Sequence, residues 1–270
     1  DEGRQTEEHK TKPIAQKESY KWLRGVLESG VEQVSGTTML FVSDQESDIF
    51  EYLALPRPAH VQLLLRSQYN RRLTARATGK QGSAQGSDEK LWDVVQAAPL
   101  AGIIDVPVHS KANQLARIAR CEVRYQQVTL PAPPKKAALK QALAAAGSAC
   151  SAPAPITAWM VIVSELPGQV PAQVPAQVPA QPKQKQAKVP AAAKPEQPDQ
   201  PDQPDQPLVW RLLTTLPVPD FATACDIAGY YARRWLVERF HYVLKSGCNI
   251  EARRLGSVEN LQRFLSLANI

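Results

Sequence analysis

A proline-rich repeat tract is the feature that most constrains how this chain can fold. Residues 168–207 of the 270-residue sequence carry repeats of V-P-A-Q and then of Q-P-D. Proline fixes φ and removes an amide donor, so at this density the tract is predicted to be an extended, disordered linker. A plain spacer is the favoured interpretation, and a docking ligand for another protein is the alternative.

Apolar runs on both sides of this tract predict an α/β domain, because β-branched and aromatic runs favour strands and amphipathic runs favour helices. The predicted helices are KESYKWLRGVLES, SDIFEYLAL, KLWDVVQAA, YYARRWLVERFHYVLKSG and VENLQRFLSLANI. The predicted strands are TTMLFVSD, HVQLLLRS, IIDVPVHS, ARIARCEVRYQQVTL, TAWMVIVSEL and LVWRLLTTLP. The last four strands are expected to form a small sheet of their own. An Ala-rich insert, residues 135–155, is expected to lie on the solvent side as a helix.

The predicted helix at residues 230–247 places four polar side chains on one narrow stripe, because each residue turns an α-helix by about 100°. These are Tyr231, Arg234, Glu238 and Lys245. The opposite face is apolar and is predicted to be buried; it consists of Leu236, Val237, Phe240, Val243 and Leu244. A surface ion pair between Arg234 and Glu238, with Lys245 as a solubilising charge, explains part of the pattern. It does not explain why Tyr231 shares the stripe.

Asp44 stands at the end of the predicted strand TTMLFVSD, immediately before a helix. An aspartate there is either a turn residue or a metal ligand, and the local sequence leaves both open. Asp48 is the better candidate for the helix cap, since Asp48 and Glu51 have the three-residue spacing of a capping box. Asp44 is then left to point away from the strand end.

Charge and cysteine content narrow the function classes. A net charge of +6 is compatible with a polyanionic partner without requiring one. Four dispersed cysteines and four dispersed histidines argue against a zinc site and against a disulfide framework, which favours a reducing cytoplasm. The longest apolar run, WMVIV, is too short to span a bilayer, so no membrane partner is expected.

The first residue, Asp1, and a last helix that stops at Ile270 suggest a fragment.

Two blocks of this sequence resemble IS4-type DDE transposases. The spacing Y-x2-R-x3-E-x6-K is met by Tyr231, Arg234, Glu238 and Lys245, and FVSDQESDIFEYL resembles the block around the second catalytic aspartate, which would be Asp44. Gln45 departs from the family's usual arginine after that aspartate. KPIAQKESYKWLRGVL and LVWRLLTTLPV resemble flanking segments, so the likeness covers roughly residues 12–130 and 157–270.

The resemblance implies a fold and a division of the chain. The fold would be an RNase H-like mixed sheet with flanking helices, interrupted by a β-rich insertion. The N-terminal stretch 1–16 would be disordered, and residues 17–100 would form part of the catalytic core. Residues 101–216 would be the β-rich insertion containing both low-complexity inserts, and residues 217–270 would complete the core.

The resemblance also implies chemistry on DNA phosphodiesters with two Mg²⁺ (or Mn²⁺) ions. Asp44 and Glu238 would be catalytic metal ligands, while Tyr231, Arg234 and Lys245 would hold phosphates of a transposon end. Trp210 would stack on a flipped base, although a core tryptophan is the equal alternative. Four arginines would track the DNA backbone unless they lie in a solvated loop: Arg66, Arg71, Arg72 and Arg76. The partner would be double-stranded DNA, bound by a homodimer in a synaptic complex and associated with the bacterial nucleoid.

The family's first catalytic aspartate has no counterpart here, because Asp1 is the only aspartate before Asp44 and stands in a polar stretch. The chain is therefore expected to be inactive by itself. Three other readings stay open: a DNA-binding or inhibitory transposase remnant, a basic interaction protein that works through its proline-rich tract, and an RNase H-fold nuclease unrelated to transposition.

Overall fold

The computed structural model describes residues 16–31, 34, 36–73, 89–108, 116–132, 154–167, 172–173, 207–247 and 256–268. Nearly all of the predicted N-terminal stretch and Ala-rich insert, most of the proline-rich tract, and Arg76 lie outside these residues.

The strands and helices of the described residues lie close to where the sequence patterns predict them. The strands are β1 (Met39–Ser43), β2 (Val61–Arg66), β3 (Gly102–Val108), β4 (Arg117–Leu130), β5 (Ile156–Glu165), β6 (Ala172–Gln173) and β7 (Val209–Thr214). The helices are α1 (Tyr20–Leu27), α2 (Phe50–Leu53), α3 (Leu91–Gln96), α4 (Phe221–Ala232), α5 (Trp235–Tyr242) and α6 (Val258–Ala268). A 3₁₀ turn, Gln45–Ser47, follows β1, and a π-helical turn, Val243–Gly247, follows α5. None of these helices has the length and apolar character that crossing a membrane requires.

All of these strands belong to one mixed sheet. Its order is β1-β2-β7-β5-β4-β3, with β6 paired to β4. β1 and β2 are parallel, and the other pairs are antiparallel. The prediction of a small separate sheet is wrong, because β7 pairs directly with β2 from Leu64↔Thr214 to Arg66↔Leu212. The alternation within a strand fixes its two faces but not its neighbours. A mixed sheet with helices on both faces agrees with the expected α/β class, while the proposed domain division stays a prediction.

The sheet separates two apolar cores, because successive side chains of a strand point to opposite faces. On one face Leu63 and Leu65 of β2 pack with buried residues of α1, α2 and α3. On the other face Leu64 of β2 packs with Ile227 and Tyr231 of α4. β2 is therefore covered on both sides.

Both low-complexity inserts replace the turn of an antiparallel pair. β4 and β5 pair up to Leu130↔Ile156, and β5 and β7 pair up to Ser164↔Val209. Within the proline-rich tract, Ala172 and Gln173 form β6, so the prediction of a disordered linker does not hold for these two residues.

Glu165 joins the two sides of the proline-rich tract. Its backbone N–H donates to the Leu208 carbonyl (2.8 Å), and the Leu208 N–H donates to Glu165 Oε2 (2.7 Å). Arg117 forms a bidentate ion pair with the same carboxylate, and both side chains are largely buried. Apart from the short strand β6, the contacts that hold the ends of the tract do not involve its repeats.

Replacing residues 174–206 with a short Gly-Ser linker is therefore expected to leave the sheet intact. We expect the free energy of unfolding to rise by about 1 kcal/mol or less, because each halving of a loop recovers only about 0.6 kcal/mol of closure entropy. Urea unfolding followed by circular dichroism measures this, and a large loss of stability would show that the repeats are part of the folded core.

Glu165→Ala is the matched destabilising variant. It removes the carboxylate that forms a bidentate ion pair with the buried Arg117 guanidinium, and breaking a buried pair in this way typically costs about 3–5 kcal/mol. An unfolding free energy equal to that of the parent chain would contradict this account of the clamp.

The same carboxylate makes stability depend on pH. Burial raises the pKa of Glu165, but hydrogen bonds from Arg117 and the Leu208 N–H outweigh it and hold the pKa below its usual value. The stabilisation is therefore complete above the unfolded-state pKa, about 4.3, and is lost as pH falls through the lower folded-state pKa. We expect the free energy of unfolding of Glu165→Gln to depend less on pH in the acid range than that of the parent chain. Urea unfolding at a series of pH values measures this.

Candidate active site at the carboxyl edge of the parallel strands

Strand alternation brings Asp44 and Arg66 to one edge and one face of the sheet. Leu40 and Val42 of β1 pack on the α4 face, and Asp44 continues their alternation with an extended backbone (φ −90°, ψ −176°). Arg66, the last residue of β2, follows Leu64 on that same face. Because β1 and β2 are parallel, their carboxyl ends meet at one edge.

β7 adds Trp210 at the same place. β7 runs antiparallel to β2, and Leu212 lies opposite Arg66. Trp210 precedes Leu212 by two residues, so it lies at the edge of the sheet where β2 ends. Its side chain packs on the α4 face. Arg66 Nη2 donates to the Val209 carbonyl (3.2 Å). The Trp210 ring meets the buried Tyr231 ring edge to face, with centroids 5.2 Å apart.

The helix that was predicted to run through residues 230–247 is broken at Arg233 and Arg234. α4 ends at Ala232 and α5 begins at Trp235. At the junction the Arg234 N–H donates to the Tyr231 carbonyl (2.9 Å), and the Val237 N–H donates to the Arg234 carbonyl (3.0 Å). These three-residue hydrogen bonds tighten the turn between the two helices.

The prediction of a buried apolar face is wrong for α5. Leu236, Val237, Phe240 and Val243 are 53%, 54%, 43% and 46% exposed, and only Leu244 of the predicted set is buried. The physical reason is the break at Arg234, after which α5 leaves the sheet and buries none of its own side chains. Tyr231, predicted to face solvent with the other stripe residues, is instead buried under Trp210. Lys245 lies exposed in the π-helical turn.

Arg234 brings the two predicted catalytic carboxylates together. Its Nη1 lies 3.5 Å from Asp44 Oδ2, and its Nη2 lies 2.6 Å from Glu238 Oε1. The two acids come from distant parts of the sequence, yet they contact one planar guanidinium group. Burial lowers the pKa of Arg234, but Asp44 and Glu238 raise it more, so the net direction is upward.

Tyr231 lies beside this cluster as a neutral phenol. Burial and then the negative charge of Asp44 raise its pKa above the ordinary value, while Arg234 and Arg66 act in the opposite direction. The Arg234 guanidinium lies over the Tyr231 ring, 5.9 Å from its centre. This cation–π contact helps to hold the arginine side chain in place.

The donor set suits a magnesium-type cation. Among the described residues no group of three or more acidic, histidine or cysteine side chains is placed to hold a metal. Two carboxylates are nevertheless sufficient for Mg²⁺, which keeps waters and phosphate oxygens as its other ligands. Asp44 Oδ1 accepts the Gln45 N–H (2.6 Å), which leaves Oδ2 for Arg234. The side chains of Asp44 and Glu238 are 41% and 64% exposed, so solvent ions reach both.

Asp48 does not cap a helix as predicted, and Asp44 instead caps the turn that follows β1. Asp44 caps the 3₁₀ turn, whereas α2 has Ile49 at its N-cap with no side-chain hydrogen bond, so the capping box is wrong. Asp48 is buried and its Oδ2 accepts the backbone N–H groups of Gln68 (2.7 Å) and Tyr69 (3.1 Å). A buried carboxylate needs several donors, and the loop after β2 provides them.

Arg71 completes this buried cluster, which the sequence patterns did not reveal. One of its guanidinium nitrogens pairs with Asp48 Oδ1 and another donates to the Asp48 carbonyl (2.6 Å). Arg71 therefore holds the loop rather than lying free to follow a DNA backbone. Arg72 forms an isolated β-bridge with Lys90.

Two conservative substitutions distinguish the structural roles of Asp44 and Asp48. Asp48→Asn is expected to cost roughly 3 kcal/mol of unfolding free energy, because it removes the counter-charge of Arg71 from a buried site. Asp44→Asn is expected to change stability by less than about 0.5 kcal/mol, since asparagine caps a turn as well as aspartate. Urea unfolding of both variants tests the contrast, and equal losses would contradict it.

A family model described as a transposase DDE domain matches residues 19–270, which include every residue of the cluster described above. DDE transposases act on DNA and generally use divalent metal ions. The chain therefore belongs to the transposase DDE domain family.

Proposed function

We propose that this chain is the Asp44- and Glu238-bearing part of an IS4-type DDE transposase, which cleaves and joins DNA phosphodiesters with Mg²⁺ or Mn²⁺. The supporting observation is that Arg234 contacts both carboxylates at the edge of the sheet. Membership of the transposase family supports the reaction class.

Asp44 and Glu238 hold the divalent cations in this proposal. When bound, such cations activate a water or a 3′-hydroxyl and stabilise the leaving oxygen. Arg234 binds a phosphate as a planar fork, and Lys245 binds another as a point charge. Arg66, which is half-buried at the same edge, contributes positive charge where the backbone passes.

Trp210 and Tyr231 position the other groups. Tyr231 is too buried to be the main contact for a phosphate, so its part is to support Arg234 and to fix the Trp210 ring. Trp210 is half-buried at this edge of the sheet. Stacking of that ring on an unpaired base is part of the proposal, and core packing alone is the alternative.

We further propose that the chain as given does not perform strand transfer by itself. Asp1 is the one aspartate before Asp44 in the sequence, and a third acidic ligand is not found among the described residues. This observation also favours the second candidate function, a DNA-binding or inhibitory transposase remnant. The homodimeric synaptic complex, the location at the nucleoid and the domain boundaries at residues 100 and 216 belong to the proposal as well.

Mn²⁺ binding tests the assigned ligands directly. We expect Asp44→Asn and Glu238→Gln each to weaken Mn²⁺ binding, measured by electron paramagnetic resonance of the free ion, by about tenfold or more. Asp105→Asn is the matched control, because Asp105 is an exposed aspartate on β3. Equal Mn²⁺ affinities for all three variants and the parent chain would remove the metal site from the proposal.

DNA assays separate the enzyme from the remnant. We expect the chain to bind a fluorescent duplex with an affinity that falls steeply with salt, as phosphate contacts require, and to give no strand-transfer product in Mg²⁺ or Mn²⁺. Strand transfer that is lost in Glu238→Gln would overturn the predicted inactivity. The basic interaction protein would be favoured by two results together: the chain binds no DNA, and it loses its binding to a protein partner when residues 174–206 are removed.

A further inference from the structure

We propose that Arg234 is a positioning residue that holds Asp44 and Glu238 together until a divalent cation replaces it, and that the released guanidinium then binds a DNA phosphate. This inference rests on the proposed function, because it takes Asp44 and Glu238 as the cation ligands. It adds an exchange between two positive groups, which couples cation binding to DNA binding.

The geometry places the guanidinium where a cation is needed. Two carboxylates brought together repel each other unless a positive group lies between them. Arg234 supplies that charge from the junction of α4 and α5, with separate nitrogens on Asp44 Oδ2 and Glu238 Oε1. A divalent cation that binds both carboxylates takes over this role, so the cation and the guanidinium compete.

The exposure of these groups makes the exchange feasible. The side chains of Arg234, Asp44 and Glu238 are 26%, 41% and 64% exposed, and ion pairs of this kind are weak. The buried pairs of the same chain behave differently. Asp48 is fully buried and carries further hydrogen bonds from backbone N–H groups, so its pair with Arg71 does not exchange with solvent ions.

The supports of Arg234 stay in place when its guanidinium turns. The Tyr231 ring under the arginine is buried and is itself fixed by Trp210. Arg66 lies on the same face at the same edge of the sheet, so a phosphate approaching the released Arg234 meets a second arginine. A planar guanidinium binds phosphate oxygens in a bidentate manner.

Thermodynamic linkage makes the consequence measurable. If the cation frees Arg234 for DNA, then the cation raises DNA affinity, and DNA raises cation affinity by the same factor. Removing the guanidinium should therefore improve cation binding in the absence of DNA and should abolish the coupling.

The experiment compares the parent chain with Arg234→Gln and with Arg233→Gln. Arg233 is the exposed neighbour whose guanidinium lies over Tyr230 rather than at the carboxylates, so its variant matches the change in net charge. Mn²⁺ affinity is measured without DNA, and affinity for a fluorescent duplex is measured in EDTA and in Ca²⁺ at constant ionic strength.

We expect Arg234→Gln to bind Mn²⁺ about fivefold more tightly than the parent chain, which corresponds to releasing about 1 kcal/mol of ion-pair energy. We expect Ca²⁺ to strengthen duplex binding by the parent chain and by Arg233→Gln, and to leave the affinity of Arg234→Gln unchanged. The melting temperature of Arg234→Gln should fall in EDTA and recover with Mn²⁺.

Equal Mn²⁺ affinities of Arg234→Gln and the parent chain would overturn the exchange, and so would an equal gain in Arg233→Gln. If the proposed function itself is wrong, the result is different, because Asp44→Asn and Glu238→Gln then leave Mn²⁺ binding unchanged. If those two variants lose Mn²⁺ while Arg234→Gln binds it like the parent chain, the metal ligands stand and the exchange alone is wrong.

Discussion

The pairing of β2 with β1 on one side and β7 on the other is the constraint on which the rest of this structure depends. It joins a part of the chain near the N-terminus to a part that follows the proline-rich tract. The Thr215 N–H and the Thr214 hydroxyl both donate to the Leu63 carbonyl, at 3.0 and 2.8 Å, and the Ser67 N–H donates to the Arg211 carbonyl at 2.6 Å. Because Leu63, Leu64 and Leu65 are fully buried, leaving these backbone groups unpaired would be costly. The same pairing places Trp210 at the edge where β2 ends with Arg66. Trp210 in turn packs on Tyr231 of α4, and Arg234, which follows α4, reaches Asp44.

Ion pairs serve two different purposes in this domain, and burial distinguishes them. Asp48 with Arg71 and Glu165 with Arg117 are buried pairs whose carboxylates accept further backbone N–H groups. These pairs hold segments of the chain in place. Breaking one of them would leave a charge poorly solvated in the protein interior, which is destabilising. The pairs of Arg234 with Asp44 and Glu238 are partly exposed, so they gather the carboxylates without locking them. The proposed binding of cations and phosphates at this site requires the second kind of contact.

The low-complexity inserts leave the site intact because of where they join the sheet. The proline-rich tract enters β7 next to Val209, whose carbonyl accepts a hydrogen bond from Arg66, so the tract emerges beside the candidate active site. Glu165 and Leu208 close the sheet just before that point. Trp210 is therefore held by the sheet and its register rather than by the tract.

Local sequence patterns located most of the strands and helices, and the resemblance to DDE transposases singled out Asp44, Arg234 and Glu238. Alternation and β-branched runs located β1 and β2, the strand end located Asp44, and the four-residue spacing of Arg234 and Glu238 predicted their ion pair, which is present. These signals are local, since they depend on the period of a single strand or helix. The tertiary structure alone decided that β7 joins β2, that the helix predicted for residues 230–247 is interrupted at Arg234, that Tyr231 is buried, and that Asp48 anchors a loop instead of capping α2. Each of these outcomes depends on which distant segments pack together, and the pattern within one segment carries no information about its neighbours.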